Sequence, residues 1–307
     1  MQIDLITFIK CDGPNIRQDN LDDTIRSLIK TTKDVTHKIY IVINSKAKHW
    51  IENITNRYPD FKDLLLECVE PRGTWADDFN FFFQKYQNKA EYILISHDDI
   101  EYQTDNFLSI VKEEIKGHEE EVGWIVGTDL YYTNHLGMVI PEGLRPDLYA
   151  DATNWGSMFH LHKMKNGYDP SLLDYPKRAT KICGIMSMMM LIRSENLKKI
   201  GPCENWTNYT MLVDPDWCLR ALQINMWNIW VPSIFYKHPL RKSLRPTGNK
   251  YEAEAHQAFV DKWGFDLGVA NSPGLISMSF EELREKYKGT NIPWATYRNS
   301  YDWCYLK

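Results

Sequence analysis

Three groups of residues in this chain have types and spacings that could do chemistry. His97-Asp98-Asp99 ends the apolar run Tyr92-Ile93-Leu94-Ile95-Ser96. Adjacent carboxylates at the carboxyl end of a strand make a hard-oxygen site suited to Mn2+ or Mg2+, and in an open α/β sheet ligands bind at that edge. Two aspartates also end many strands with no ligand present. Asp214-Pro215-Asp216 opens a stretch with helical spacing. The helix dipole favours ionised carboxylates there, which is ordinary capping and also what a general base needs. His238 follows the strand-like run 228–237 and precedes Pro239-Leu240-Arg241-Lys242-Ser243-Leu244-Arg245. An imidazole that can complete a metal shell thus stands beside cations that can hold phosphate oxygens.

Other features carry less. His160-Leu161-His162 puts two imidazoles on one side of an extended segment, with no third ligand recognisable nearby, so a structural role is favoured. Phe79, Phe81, Phe82 and Phe83 read as core next to a buried strand. Trp155, Phe159, Tyr168 and Tyr175 fall in an irregular stretch and are better placed to stack on a sugar or base.

These groups need a frame, and the N-terminal half supplies one by alternating short β-branched runs with amphipathic segments, the pattern of a mostly parallel sheet. Strands are predicted at 5–11, 38–46, 64–70, 92–99 and 122–132, with helices at 21–32, 50–60, 75–89 and 106–118. Asn20 is placed to cap the first helix. From 133 to 181 the periodicity dissolves, and a long irregular stretch in a compact domain usually serves function. Strand, helix and strand signals return over 184–238, and the tail from Tyr251 is helical.

The whole chain, 307 residues with 43% hydrophobic and 25% charged, has an ordinary globular composition. Its formal net charge of -5 provides no overall basic field for nucleic acid or anionic membrane. Asp4 interrupts the first apolar stretch, so no signal peptide is expected, and no apolar run approaches the roughly 18 residues a membrane span requires. Six cysteines without a Cys-x-x-Cys pair argue against a zinc ribbon and fit a reducing, cytoplasmic setting.

In order and spacing, residues 3–240 resemble the GT-A glycosyltransferases, the inverting family 2 group in particular. The opening LITFIK with NLDDTIRSLIKTT is similar to the family's first strand and helix. Asn44 stands where the family has an acidic base-reading residue, Gly73 through Asn80 resembles its glycine-to-asparagine stretch, and YILISHDD its Asp-x-Asp strand. GIMSMMMLIRSENLKKIGPCENW is similar to the segment before the base, and Asp214, Asp216, Arg220, Pro232 and His238 fall on matching positions of the following block.

The resemblance implies a Rossmann-like α/β fold, a mixed, mostly parallel sheet flanked by helices. Together with the periodicity, it gives a catalytic domain at 1–248, with the irregular stretch 133–181 as an acceptor-side insertion, and a helical C-terminal extension at 249–307. It also implies a Mn2+ or Mg2+ ion held by Asp99 and His238, and a nucleotide diphosphate sugar, a UDP-sugar favoured. Nucleotide contacts would come from Thr7, Phe8, Asn44, Gly73, Asn80 and Asp98, and, from their position after His238 alone, Arg241 and Arg245 are expected to close over the diphosphate. Asp214 would be the base, and Trp155, Tyr168 and Asp216 would meet a hydroxyl acceptor, glycan or modified DNA. Two other readings share the pattern. One is a non-catalytic nucleotide-sugar or glycan binder of the same fold. The other is a sugar-phosphate nucleotidyltransferase, which would want a glycine-rich basic loop where Cys11-Asp12-Gly13-Pro14 stands.

Overall fold

The computed structural model describes residues 2–11, 17–129, 178–182, 189–205, 212–238, 250–264 and 278–292. In chain order the strands are β1 (Ile3–Cys11), β2 (His37–Ile43), β3 (Leu65–Val69), β4 (Ala90–Ser96), β5 (Glu101–Tyr102), β6 (Val122–Asp129), β7 (Thr180–Ile182), β8 (Met189–Arg193) and β9 (Trp227–Lys237). The helices are α1 (Gln18–Thr31), α2 (His49–Arg57), α3 (Phe61–Leu64), α4 (Trp75–Tyr86), α5 (Phe107–Glu114), α6 (Ser194–Ile200), α7 (Val213–Gln223), α8 (Lys250–Trp263) and α9 (Phe280–Lys286).

The strands form one mixed sheet in the order β3-β2-β1-β4-β8-β6-β9-β5, with β7 also on β9. Its first four strands are parallel, and β8 runs antiparallel between β4 and β6. A central parallel strand is covered on both faces and should read as a continuous apolar run. β1 does so: Leu5, Ile6, Phe8 and Ile9 are all fully buried.

On one face of the sheet α4 presents Phe79, Phe82 and Tyr86 at helical spacing to Phe8 and Tyr40, with Phe83 stacked on Phe79. The aromatic stripe is therefore core, except that Phe81 lies under the Arg72 guanidinium at 3.5 Å. Thr74 and Asp77 cap α4 reciprocally, a capping box that fixes where the helix starts. A Cβ at Gly73 would fall 2.5 Å from the Asp77 carboxylate, so this capping geometry requires glycine there. The first helix begins earlier than its pattern predicts, at Gln18, with Arg17 at the N-cap position and Asn20 buried within its first turn.

Thr7 and Phe8 are not available to a nucleotide, a correction to their expected role. Phe8 is enclosed by aromatic rings, and the buried Thr7 hydroxyl meets His37 Nε2 at 2.8 Å. Thr32 donates its own proton to the Leu28 carbonyl, so it can only accept from His37 Nδ1, 2.9 Å away. The ring is thereby a neutral Nδ1–H tautomer whose Nε2 accepts from Thr7. Burial lowers its pKa to about 3, with a small added push from Lys38.

Below about pH 6.5 the unfolded histidine takes a proton that the folded one refuses, so stability is unaffected above that pH and falls as pH drops towards 3. His37 should contribute a slope of about 1.4 kcal/mol per pH unit in that window. Urea midpoints of the wild type and His37→Gln between pH 7 and 4 test it, and parallel curves would refute it.

Candidate metal and active site

The carboxyl edge of the sheet gathers the chemistry. β4 ends at Ser96, the chain turns through His97, Asp98 and Asp99, and β5 then pairs antiparallel with the end of β9, Glu101 opposite Lys237. β5 is short but anchored, because the Tyr102 N–H donates to Ser27 Oγ of α1 at 3.0 Å. That pairing delivers His238 to Asp99. His238 Nε2 lies 3.1 Å from Asp99 Oδ1, and His97 Nδ1 lies 4.0 Å from the same oxygen.

One ligand atom from each of His97, Asp99 and His238 falls within 4.8 Å of the other two. Asp99 and His238 are nearly enclosed, with side chains 9% and 10% exposed, whereas His97 is 36% exposed. Burial by itself would raise the Asp99 pKa, but His238 and then His97 outweigh it and hold the carboxyl below its ordinary value.

The site fits a divalent ion on two counts. Asp99 Oδ1 is buried and accepts no well-directed hydrogen bond, which is costly for a carboxylate oxygen unless something positive meets it. Asp99 Oδ1 and His238 Nε2, 3.1 Å apart, are close enough for one ion to be shared between them. His97 is a third candidate ligand, which the motif reading did not include. It stands directly after β4, at the start of the turn that carries Asp98 and Asp99.

α7 runs back along β6 and β9. Its Ala221 sits over Gly123, and one turn nearer the N-terminus Trp217 packs on Trp124 at 4.9 Å. Trp217 also meets Trp75, the first residue of α4, at 5.9 Å, so the first turn of α7 points to the edge at which α4 begins. Asp214 lies in that turn, half-buried. The N-cap residue Leu212 has φ 68, a left-handed conformation that costs a leucine about 1 to 2 kcal/mol.

Two further expectations are corrected here. Asp216 does not face an acceptor: it is 1% exposed, taking Lys262 Nζ at 2.7 Å and Trp263 Nε1 at 3.0 Å, with Arg220 Nε at 2.9 Å. Burial raises its pKa, opposed by Arg220 and Lys262. Arg220 also donates to the carbonyls of Ile200 and Pro202, tying α7 to the end of α6. Asn80 is likewise structural. Its Nδ2 donates to the Cys203 carbonyl and its Oδ1 accepts the Cys203 N–H, both at 2.8 Å.

Asn44 is exposed at the end of β2, its Oδ1 accepting from Lys46 N at 3.0 Å, while Ser45 N donates to Glu70 at 2.8 Å. Exposed Gly73 stands before α4, and its carbonyl accepts from Lys10 Nζ at 3.3 Å. Lys10 forms a buried ion pair with Asp78 at 2.7 Å, a feature signalled only by a lysine inside an apolar strand. Asp98 is half-buried in the turn between His97 and Asp99. Trp155, Tyr168, Arg241, Arg245, the pair His160 and His162, and nearly all of 133–181 lie outside the described residues.

No protein-family model and no curated protein matches the sequence. Solved structures do match. GalNAc-T7 with UDP, GalNAc and Mn2+ aligns with a TM-score of 0.57 at 11% identity, over 93% of this chain and 54% of that one. The mannosyltransferase PcManGT from Pyrobaculum calidifontis, in complex with GDP-Man and Mn2+, aligns with a TM-score of 0.53 at 11% identity, over 96% of this chain and 73% of that one. The chain thus spans about half the length of the first and nearly three quarters of the second. What is shared at these identities is architecture, and the mixed sheet with its flanking helices is the GT-A fold of nucleotide-sugar glycosyltransferases.

Proposed function

We propose that this chain is a metal-dependent glycosyltransferase, moving a sugar from a nucleotide diphosphate to a hydroxyl acceptor with inversion. The observation that carries the reading is the convergence of His97, Asp99 and His238 on one point at the carboxyl edge of a GT-A sheet. Both structural neighbours were solved with Mn2+ and with UDP or a GDP-sugar, which supports the same chemistry here. Two imidazoles and one carboxylate favour Mn2+ over Mg2+, because Mg2+ is bound through oxygen. When bound, the ion supplies positive charge against the diphosphate leaving group.

The chain's own residues do the rest. Asp214, ionised at a helix N-terminus, accepts the acceptor hydroxyl's proton as that oxygen attacks the anomeric carbon. Asp98 is assigned to the ribose, Asn44 and Gly73 to the nucleotide, and Arg241 and Arg245 to the diphosphate. Residues 133–181, with Trp155 and Tyr168, are assigned to the acceptor. Replacing either aromatic by Ala should raise the acceptor's KM or lower transfer while slow donor hydrolysis continues. Parallel loss of transfer, hydrolysis and Tm would instead assign them to packing.

A UDP-sugar is the favoured donor, and a glycan is favoured over modified DNA as acceptor. The test is to incubate the purified chain with Mn2+ and a panel of nucleotide diphosphate sugars, reading released nucleoside diphosphate. One donor should be consumed. No release from any of them, with binding retained, would leave a non-catalytic nucleotide-sugar binder.

A further inference from the structure

We propose that the C-terminal arm, α8 with α9, is a strut that sets the position of α7, with Lys262 and Trp263 as positioning residues acting through Asp216. The inference rests on the assignment of Asp214 as base. The arm grips α7 at both ends. Near the first turn, Lys262 Nζ and Trp263 Nε1 converge on Asp216 Oδ1, two residues from Asp214. In the last turn, the Asn291 N–H donates to the Leu222 carbonyl at 2.9 Å.

The arm braces itself as well. Tyr287 Oη donates to the Trp263 carbonyl at 2.8 Å, and Lys286 Nζ donates to the Lys262 carbonyl at 3.1 Å, so α9 fixes the end of α8 that carries both residues. Lys262 reaches Glu204 at 2.7 Å too, joining α7 to the segment after α6.

Strain gives the strut its purpose. Leu212 holds a left-handed conformation directly before Val213 and Asp214, and such a residue persists only where its surroundings over-determine it. The buried contacts on Asp216 supply that determination. Without them the turn can relax at Leu212, and the base is displaced from the acceptor oxygen. A displacement near 1 Å can cost about a hundredfold in rate.

The test compares the full chain with Lys262→Met, Lys262→Arg and Trp263→Phe. Lys262 is partly exposed, so Lys262→Met should fold, and Trp263→Phe keeps a ring against Phe259 and Tyr287 while removing the indole N–H. Lys262→Met should speed amide exchange at Asp216 to Leu219 at least tenfold and lower the transfer kcat at least tenfold, with donor affinity unchanged. Trp263→Phe should move both the same way, and Lys262→Arg should restore most of each. Unchanged exchange overturns the strut whatever the activity, and faster exchange with unchanged kcat overturns the positioning role. If the wild type transfers no sugar, the proposed function fails, and exchange alone decides whether the arm holds α7.

Discussion

Asp214→Asn should lower the transfer rate by about 10² to 10⁴, the range that general base catalysis contributes, with the donor's Kd nearly unchanged. The amide keeps the size and the helix-terminal position of the carboxylate and loses its basicity. Two carboxylates occupy the first turn of α7, and exposure separates them. Asp216 is enclosed by Arg220, Lys262 and Trp263, whereas Asp214 is half-buried. Asp216→Asn should therefore lower stability, because it leaves two cations beside a site that no longer balances them, and lower kcat less than Asp214→Asn, through the position of α7 alone. Transfer at saturating substrates, calorimetric donor affinity and Tm on both variants decide the matter. Normal turnover in Asp214→Asn, with kcat lost in a well-folded Asp216→Asn, would reverse the assignment.

The second large effect is expected at the metal centre. Asp99→Ala and His238→Ala should each weaken Mn2+-dependent donor binding by at least about 100-fold, since loss of even an outer-shell partner costs a metal site about 10 to 100-fold. His97→Ala should move in the same direction by a smaller factor, its imidazole being the most exposed of the three. Titrating Mn2+ in the presence of donor, by calorimetry or by the paramagnetic signal of the free ion, gives the affinities. Donor binding that keeps its metal dependence in Asp99→Ala and His238→Ala would remove the centre from this edge. An unchanged His97→Ala beside two weakened variants would remove His97 alone. Mg2+ should substitute poorly for Mn2+ in the wild type.

The fold was legible because its strands and helices announce themselves locally. β1, β2 and β4 are built on buried apolar runs, Leu5 to Ile9 with Thr7 inside it, Ile39 to Ile43 and Tyr92 to Ile95, and α4 shows its buried face at helical spacing. The proximity of Asp99 and His238 was foreshadowed by motif order, whereas that of His97 depends on the turn after β4, which the motif does not describe. The misassigned residues fail for a common reason. Asp216 looks like a site carboxylate until Lys262 and Trp263 arrive from 46 and 47 positions along the chain. Asn80 looks like a nucleotide ligand until it meets Cys203, 123 positions away. Short-range patterns give the type and element of a polar residue, and only the folded chain reveals which distant group has engaged it. Thr7 shows the converse, a polar residue inside a strand whose partner, His37, sits on the neighbouring strand.

The two-way hydrogen bond of Asn80 has a mechanical consequence. A side-chain amide that both donates to and accepts from one backbone residue imitates a rung of β-ladder, and here it welds the first half of α4 to the turn at Cys203. Arg220 and Lys262 fasten that same turn to α7 and α8. Four stretches from remote parts of the chain therefore behave as a single rigid block. Any opening and closing during a reaction cycle has to hinge outside that block, and structures with and without nucleotide should superpose α4, residues 201–204 and α7 as one body.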